Sequence, residues 1–296
     1  MDASYTLPLL VTLASLRRAV PPERPLRLLL LHDRLPDEHL SAVESLVPTT
    51  PVAVPPRMLA AIPAHRHFPP EAAMPLLLGE LVPDDVERVL FLDADLLVLD
   101  DPTGLLDVDL GGRALAAAVD GAIALCSGPR GVRAWREQGI PAFAPYFNAG
   151  VMAISLRDWR ERAVGARALR YLSTRGTSGG GFLHQEALNA IAWDDWHEVD
   201  PRWNVLASHA GRPYWRAAAP AHAGIVHFAG RMKPWRGGVA GPHAAPYRAA
   251  LAEVAPLLPS PADGARLRDR ALGAYDRRLR DRLFPLERAL WRRGLI

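Results

Sequence analysis

Two aspartates, Asp93 and Asp95, stand two positions apart directly after the apolar run Val89–Leu92. The run is rich in strand-forming residues, which predicts a strand buried on both faces of a parallel sheet. Side chains just beyond the carboxyl end of such a strand lie where open α/β sheets bind ligands. Two converging carboxylates need a cation or a set of hydrogen-bond donors, and hard oxygen ligands suit Mg²⁺ or Mn²⁺. The pair therefore indicates a divalent-metal site; the alternative is a strand end capped by backbone donors.

A second candidate group lies much later, between His227 and Trp235. His227 ends a short apolar run, Gly230 allows a close approach of the backbone, and Lys233 follows three residues on. Lys233 is the only lysine among 35 basic residues, so an ammonium is present here where the rest of the chain uses arginine. The segment is a plausible cradle for an anion. The alternatives are a structural histidine and a solvated lysine.

The order of apolar runs and helical patterns indicates which elements position these residues. Strands alternate with helices, which predicts an α/β fold with a parallel sheet and right-handed crossovers. Pro75 is expected to disturb the third helix. Helices are predicted at residues 7–20, 36–47, 71–81, 156–172 and 182–193, and strands at 26–31, 89–92, 114–119, 146–155, 198–204 and 224–228.

Composition limits the class of protein. The chain has 296 residues, of which 49% are hydrophobic, enough for a sizeable core, and its net charge of +3 does not suggest a nucleic-acid binder. The single cysteine, Cys126, excludes an internal disulfide framework and a multi-cysteine zinc site, and we expect it to be reduced and buried.

The two ends of the chain bear on localisation. We find neither a signal-peptide pattern nor an apolar stretch of about 18 residues, which predicts a cytoplasmic protein. Residues 266–293 combine arginines with interleaved leucines, which indicates a basic amphipathic helix. We predict a domain at 1–245 and a helical tail at 246–296. The tail either packs against the domain or makes peripheral contact with an anionic membrane.

Four motifs in a fixed order give the sequence a specific resemblance. After the strand with Asp-x-Asp come Phe-Asn-Ala-Gly-Val from residue 147, Gln-Glu-Ala-Leu-Asn from residue 185, and His-Phe-x-Gly-x-x-Lys-Pro-Trp from residue 227. This order resembles glycosyltransferase family 8, which includes bacterial lipopolysaccharide galactosyltransferases and glycogenin. The resemblance covers most of the chain, from about Tyr5 to Trp235.

The resemblance implies a single Rossmann-like domain of GT-A type with a mixed, mostly parallel sheet. It also implies a UDP-sugar donor, dependence on Mn²⁺ (or Mg²⁺), transfer of a hexose, and retention of anomeric configuration. The acceptor would be a carbohydrate, a lipid-linked group or a small molecule. By position, the implied metal ligands are Asp93, Asp95 and His227; the donor-binding residues are Asp93, Ala94, Asp95, Asn148, Gly230 and Lys233; and the catalytic residues are Gln185 and Asp120.

The implied chemistry agrees with these residue types. The leaving nucleoside diphosphate gains negative charge, which a divalent metal and an ammonium stabilise. The sugar becomes oxocarbenium-like, so carboxylate and amide groups around it are favourable. Retention uses either a nucleophile or same-face attack assisted by the departing phosphate. Gln185 is a poor nucleophile, which favours the second route.

Three departures from the family pattern stand out. The family's first strand, which meets the nucleobase, has no counterpart, so either the assigned start is late or an edge of the base pocket is absent. Pro75 occupies the position of an arginine that reaches the donor, and His184 replaces a carboxylate on the acceptor side.

Two other functions compete with transfer. A degenerate, non-catalytic module that binds nucleotide-sugars is consistent with the missing strand and with Pro75. A phosphatase of the haloacid dehalogenase type also has a strand followed by Asp-x-Asp, but it expects threonine or valine where Leu97 stands.

Overall fold

The structure is a computed structural model that describes residues 1–63, 70–175, 183–209, 220–230, 233–236 and 243–258. Most of the predicted tail, from residue 259 to 296, lies outside these ranges, and so does most of the Gly/Ser/Thr-rich segment near residue 178. The helices are α1 Thr6–Ala19, α2 Asp37–Glu44, α3 Pro56–Ala60, α4 Leu78–Leu81, α5 Leu156–Glu161, α6 Val164–Arg175, α7 Leu183–Ala192 and α8 Ala244–Val254. The strands are β1 Leu28–His32, β2 Thr49–Ala53, β3 Arg88–Leu92, β4 Leu96–Val98, β5 Leu115–Val119, β6 Phe147–Ser155, β7 Trp196–Glu198, β8 Val205–Leu206 and β9 Ile225–His227.

The described strands form three hydrogen-bonded groups, in the orders β1-β2, β3-β6-β5-β7 and β4-β9-β8. The mixed α/β fold is confirmed, but parallel pairs do not dominate: β3 with β6, β5 with β6, and β4 with β9 are antiparallel. The reason is visible between β5 and β6, where residues 120–146 contain no helix. A parallel pair needs a crossover, usually a helix, so the chain returns in the opposite direction instead.

The strand that precedes the two aspartates is less buried than predicted. β3 has a partner on one side only, β6, so it lies at the edge of its group among the described strands. Residues 89–92 are partly buried, whereas β5 is buried throughout its length. The apolar run therefore predicted the strand correctly but not its position in the sheet.

Helix α1 holds the chain just beyond Asp95. The hydroxyl of Thr12 accepts a hydrogen bond from the Leu96 N–H at 3.0 Å, and that of Ser15 accepts one from the Val98 N–H at 3.0 Å. These two hydroxyls occupy the side of β4 that a neighbouring strand would otherwise pair with. Among the described elements, the 3₁₀ helix Ala3–Tyr5 comes directly before α1.

Three predicted elements differ locally from the structure. Around Pro75 the chain is a 3₁₀ helix, Pro70–Leu77, that continues as α4, because proline removes an α-helical hydrogen bond. The predicted helix at 156–172 is two helices, α5 and α6, separated where Ala163 has a φ of 48°. The predicted strand at 198–204 is mostly the 3₁₀ helix Pro201–Asn204, which begins at a proline.

The start of the predicted tail is described. Helix α8 contacts α1 and buries Tyr247, Ala250 and Val254 in an apolar cluster with residues of that helix. The boundary of the tail at residue 246 and its contact with a membrane stay predictions. Within the described ranges, every helix is too short or too polar to cross a bilayer.

Candidate active site

Three predicted metal ligands meet at the ends of neighbouring strands. β4 and β9 pair so that Leu96 lies opposite His227, which brings the imidazole next to the aspartate that precedes Leu96. His227 Nε2 lies 3.3 Å from Asp95 Oδ1 and 3.5 Å from Asp93 Oδ2. One ligand atom from each of the three residues lies within 4.8 Å of the other two.

The glycine of the Phe-Asn-Ala-Gly-Val motif makes room for this cluster. A Cβ atom on Gly150 would lie 2.2 Å from His227 Cε1 and 2.8 Å from Asp93 Oδ2. The Gly150 carbonyl also accepts a hydrogen bond from the Asp93 N–H at 2.8 Å. The backbone of β6 is therefore the floor of the cluster, and only glycine fits there.

The two carboxylates have opposite electrostatic environments. Although Asp93 keeps part of its surface exposed, desolvation among protein atoms raises its pKa to about 6. Burial also acts to raise the pKa of Asp95, but the charges of Lys233 and His227 outweigh it and hold that pKa well below its usual range. Burial acts to lower the pKa of His227, but the two carboxylates, Asp95 foremost, outweigh it and raise that pKa. Two carboxylate oxygens and an imidazole nitrogen, held close around one point, fit a divalent cation such as Mn²⁺.

Lys233 is part of the cluster rather than a solvated charge. Its side chain is buried, and its ammonium donates hydrogen bonds to Asp95 Oδ2 and, at 2.8 Å, to the Phe228 carbonyl. The ammonium also lies 5.4 Å from the ring centre of Trp235 and 5.8 Å from that of Tyr5, a cation–π arrangement. Asp93, Asp95, His227 and Lys233 are called the cation end of the site below.

Two other predicted donor-binding residues act through the backbone. Gly230, three residues after His227, has a φ of 83°, a conformation that favours glycine. The carbonyl of Ala94, between the two aspartates, lies 3.0 Å from the Thr12 hydroxyl. Both residues shape the chain around the cluster.

The remaining predicted residues form a second group, joined by hydrogen bonds. Asp120 Oδ2 accepts from Asn148 Nδ2 at 2.7 Å and from Gln185 Nε2 at 3.0 Å. Gln185 Oε1 accepts from the Ala149 N–H at 3.1 Å, which ties α7 to β6. All three side chains are buried. The structure therefore brings Asp120, Asn148 and Gln185 together, beside the cation end.

Asn204 joins the two groups, although it lies outside every motif of the sequence analysis. Its amide nitrogen donates to Asn148 Oδ1 at 2.9 Å, and its amide oxygen lies 2.9 Å from His227 Nδ1. The residue ends a 3₁₀ helix directly before β8, which pairs with β9. Its contacts are 56 and 23 residues away along the chain, so no local pattern could have revealed them. Asp120, Asn148, Gln185 and Asn204 are called the amide end below.

The structure shows the environments of the residues that depart from the family pattern, and of the neighbouring Glu186. Burial and the charge of His227 lower the pKa of His184 to about 4, so its ring is neutral at pH 7. Glu186 accepts hydrogen bonds from the Tyr171 hydroxyl at 2.9 Å and from Arg133 Nε at 3.2 Å, so it faces a neighbouring loop and helix. Pro75 is buried in its 3₁₀ helix and offers no hydrogen-bond donor.

Comparison with known proteins relates the chain to one protein family. The family model for glycosyl transferase family 8 matches residues 72–238. General stress protein A of Bacillus subtilis is 28% identical over 193 residues, which are 61% of this chain and 64% of that protein. Probable galacturonosyltransferase-like 3 of Arabidopsis thaliana is 31% identical over 170 residues, 54% of this chain and 48% of that protein. The alignments thus span about half to two thirds of the length of these relatives.

Solved structures agree on the fold. The galactosyltransferase LgtC, in complex with donor and acceptor sugar analogs, superposes with a TM-score of 0.72 and 24% identity over 90% of this chain and 97% of LgtC. The apo form of the glycosyltransferase GlyE from Streptococcus pneumoniae TIGR4 superposes with a TM-score of 0.60 and 20% identity over 85% of this chain and 58% of GlyE. These matches confirm the GT-A type of fold.

Proposed function

Because this chain belongs to glycosyltransferase family 8, we propose that it transfers a hexose from a UDP-sugar to an acceptor, with Mn²⁺ or Mg²⁺ as cofactor and with retention of anomeric configuration. The observation that carries the proposal is the meeting of Asp93, Asp95 and His227, whose ligand atoms lie within 4.8 Å of one another. Membership of this family removes the phosphatase interpretation of the Asp-x-Asp pattern.

The cation end would hold the diphosphate of the donor. A metal ion held by Asp93, Asp95 and His227 would stabilise the negative charge that the leaving diphosphate gains. Lys233 adds a buried ammonium next to Asp95, and burial makes that charge more effective than it would be in water. Asp93 is the more exposed of the two aspartates and would face the incoming donor.

The amide end would face the sugar. Asp120 and the amides of Asn148 and Gln185 put a carboxylate and polar groups near the carbon that gains positive charge. Gln185 Oε1 already accepts a hydrogen bond from the Ala149 N–H, which makes it a poorer nucleophile still. This contact supports same-face attack, in which the departing diphosphate takes the proton of the acceptor hydroxyl.

The acceptor is a carbohydrate, a lipid-linked group or a small molecule, and we propose no role for nucleic acid. His184, a neutral imidazole on α7 next to Gln185, can donate or accept a hydrogen bond with an acceptor hydroxyl. A cytoplasmic location, with peripheral membrane contact through the tail at 246–296, remains part of the proposal.

The test is donor turnover by the purified chain. We expect release of UDP from at least one of UDP-glucose, UDP-galactose and UDP-galacturonate with Mn²⁺ present, and none with a chelator. NMR of the product should show the anomeric configuration of the donor. Absence of turnover with every donor would contradict the proposal, and UDP binding without turnover in calorimetry would favour a non-catalytic binding module instead.

A further inference from the structure

We propose that Asn204 is a positioning residue that keeps the proton of His227 on Nδ1 and turns the lone pair of Nε2 towards Asp93 and Asp95. The inference rests on the metal site of the proposed function, and it assigns a role to a residue outside every motif that the sequence offered. The inference is tested by measuring metal binding alone, without a sugar donor or an acceptor.

A side-chain amide has a donor at one end and an acceptor at the other, so its orientation is decided by its partners. In a chain of amides, any group that cannot exchange roles fixes the orientation of all the others. A carboxylate can only accept, and a backbone N–H can only donate. One group of each kind contacts Asn148.

The carboxylate is that of Asp120. Its Oδ1 accepts from the N–H groups of Ala122 and Ile123 at 2.7 and 2.9 Å, and its Oδ2 lies 2.7 Å from the Asn148 amide. Asn148 must therefore present its NH₂ group to Asp120. The Gly150 N–H lies 2.9 Å from the other end of the Asn148 amide, which must be the oxygen. Two independent partners thus require the same orientation.

The orientation of Asn148 determines that of Asn204, and through it the position of the proton on His227. Because Asn148 presents its oxygen, Asn204 must present its NH₂ group to it, at 2.9 Å, and its own oxygen to His227 Nδ1, also at 2.9 Å. A close contact between an oxygen and a ring nitrogen is stable only if that nitrogen carries the proton. The other nitrogen, Nε2, then keeps its lone pair when the ring is neutral, and it faces the two carboxylates.

This is the arrangement that a histidine needs in order to bind a metal ion. A ligating histidine usually donates its second N–H to an acceptor, which fixes the ring and its tautomer. A lone pair that faces two carboxylates is unfavourable unless a cation lies between them. The side chain of Asn204 is completely buried, so water does not replace its oxygen in this structure.

The experiment measures the affinity for Mn²⁺ alone by calorimetry in two variants at position 204. Asn204→Leu removes the acceptor at similar volume, and we expect Mn²⁺ to bind about 10- to 100-fold more weakly. Asn204→Asp keeps an oxygen for the Nδ1–H but loses the donor to Asn148, and we expect its affinity to stay within about threefold of the native value or to increase. If Asn204 acted only by holding the hydrogen-bond network together, both variants would bind Mn²⁺ more weakly than the native chain.

Asn189→Leu is the matched control. Asn189 is also a buried asparagine, but its amide bonds to the backbone of Phe147 and Gln185 and not to His227. We expect this variant to lose stability and to keep its affinity for Mn²⁺. An equal loss in Asn189→Leu and Asn204→Leu would overturn the inference, as would an unchanged affinity in Asn204→Leu or a tenfold loss in Asn204→Asp.

Other outcomes separate this inference from the proposed function. If Asn204→Leu does not fold, the affinity of Asn204→Asp decides alone. If the native chain binds no Mn²⁺, both this inference and the metal dependence of the proposed function fail. If the variants behave as expected but the native chain turns over no sugar donor, only the proposed function fails.

Discussion

The cation end and the amide end lie next to each other, but they hold their buried polar groups in opposite ways. At the cation end His227 Nε2 stands 3.3 and 3.5 Å from oxygens of Asp95 and Asp93. At the amide end the contacts of Asp120 with its amide and backbone partners are 2.7–3.0 Å long. One end contains charged groups whose pKa values are displaced, and the other contains a carboxylate whose oxygens are satisfied by side-chain amides and backbone N–H groups.

This difference indicates which part of the site changes when a ligand binds. The carboxylates and the imidazole of the cation end are stabilised when a cation binds between them. Without a metal ion, bound protons compensate the negative charge instead. A carboxylate with four short hydrogen bonds is already satisfied and keeps its place. We therefore expect substitutions at the cation end to affect metal binding and turnover. Substitutions of the residues that support the amide end from outside, such as Glu186, should affect stability first.

The largest effect should follow Asp95→Asn. This change removes a metal ligand and the counter-ion of the buried Lys233. We expect turnover of the sugar donor to fall about 10³-fold, with loss of Mn²⁺ binding in calorimetry. Asp107→Asn is the control, because residues 107–109 form a second Asp-x-Asp pattern, Asp-Val-Asp, and the side chain of Asp107 is 73% exposed. Similar losses in both variants would show that the effect is not specific to the carboxylates of the cation end.

A methyl group at position 150 should affect the cation end through shape alone. In Gly150→Ala the new Cβ would clash with the ring of His227 and with a carboxylate oxygen of Asp93. Overpacking of this kind costs about 1–3 kcal/mol, and here it also displaces ligands. We expect affinity for Mn²⁺ to fall about 100-fold, in line with the 10- to 100-fold typical when a ligand loses its support.

Gly104→Ala provides the comparison for that experiment. A Cβ at Gly104 would have no atom within 4 Å, so we expect native affinity and native stability. Unchanged metal affinity in Gly150→Ala would mean that the three side chains do not need the positions they have in this structure.

The sequence predicted the cation end well because its residues lie at the ends of short strands. Asp93 and His227 each follow or end an apolar run, and parallel or antiparallel pairing brings strand ends together. The single lysine was recognisable by its rarity, and its burial confirms that it is not a surface charge. Residue type and local position singled out both segments, whereas the meeting of His227 with the two aspartates was implied only by the family resemblance.

The parts that could not be predicted depend on contacts between distant segments. The role of Asn204 follows from partners on β6 and β9, and its own neighbours give no signal. The apolar run of β3 looks the same whether the strand is central or at an edge, so the partial exposure of the strand was missed. Strand direction was missed for a similar reason, since the loop between β5 and β6 looked like any long connection.

The pH dependence of metal binding should also distinguish the two ends. Metal binding requires a deprotonated carboxylate and a neutral imidazole, whereas amides do not titrate. The pKa of Asp93 is raised to about 6, mainly by desolvation, and the pKa of His227 is raised by the carboxylates against the effect of its burial. Protons therefore compete with the metal. Affinity for Mn²⁺ should begin to fall while the pH is still above 6.5, the ordinary pKa of histidine, and should fall further as the pH drops through about 6.

Calorimetry from pH 8 to pH 5 measures this effect. We expect a loss of about tenfold per pH unit for each proton that must leave, and proton release on binding that is visible as a dependence on the buffer. A flat affinity over this range would mean that the charges of the cation end do not take part in metal binding.

The smallest effect should come from the support of the amide end. Glu186 is buried next to Gln185 and accepts hydrogen bonds from Tyr171 and Arg133. Glu186→Gln keeps one acceptor but turns an NH₂ group towards a donor, which should lower the free energy of unfolding by about 1–2 kcal/mol. Urea denaturation measures this loss. Glu161→Gln is the matched control, because the ion pair of Glu161 with Arg157 is exposed and its loss should leave the free energy of unfolding nearly unchanged.

The informative result is whether Glu186→Gln leaves the affinity for Mn²⁺ unchanged. If the amide end is held by its own hydrogen bonds, this variant should bind Mn²⁺ with an affinity within about twofold of the native chain. A tenfold loss of affinity would mean that strain at α7 reaches His227 through Gln185, Asn148 and Asn204. The two ends would then respond as one unit, because the hydrogen bonds that orient the imidazole would also transmit the disturbance.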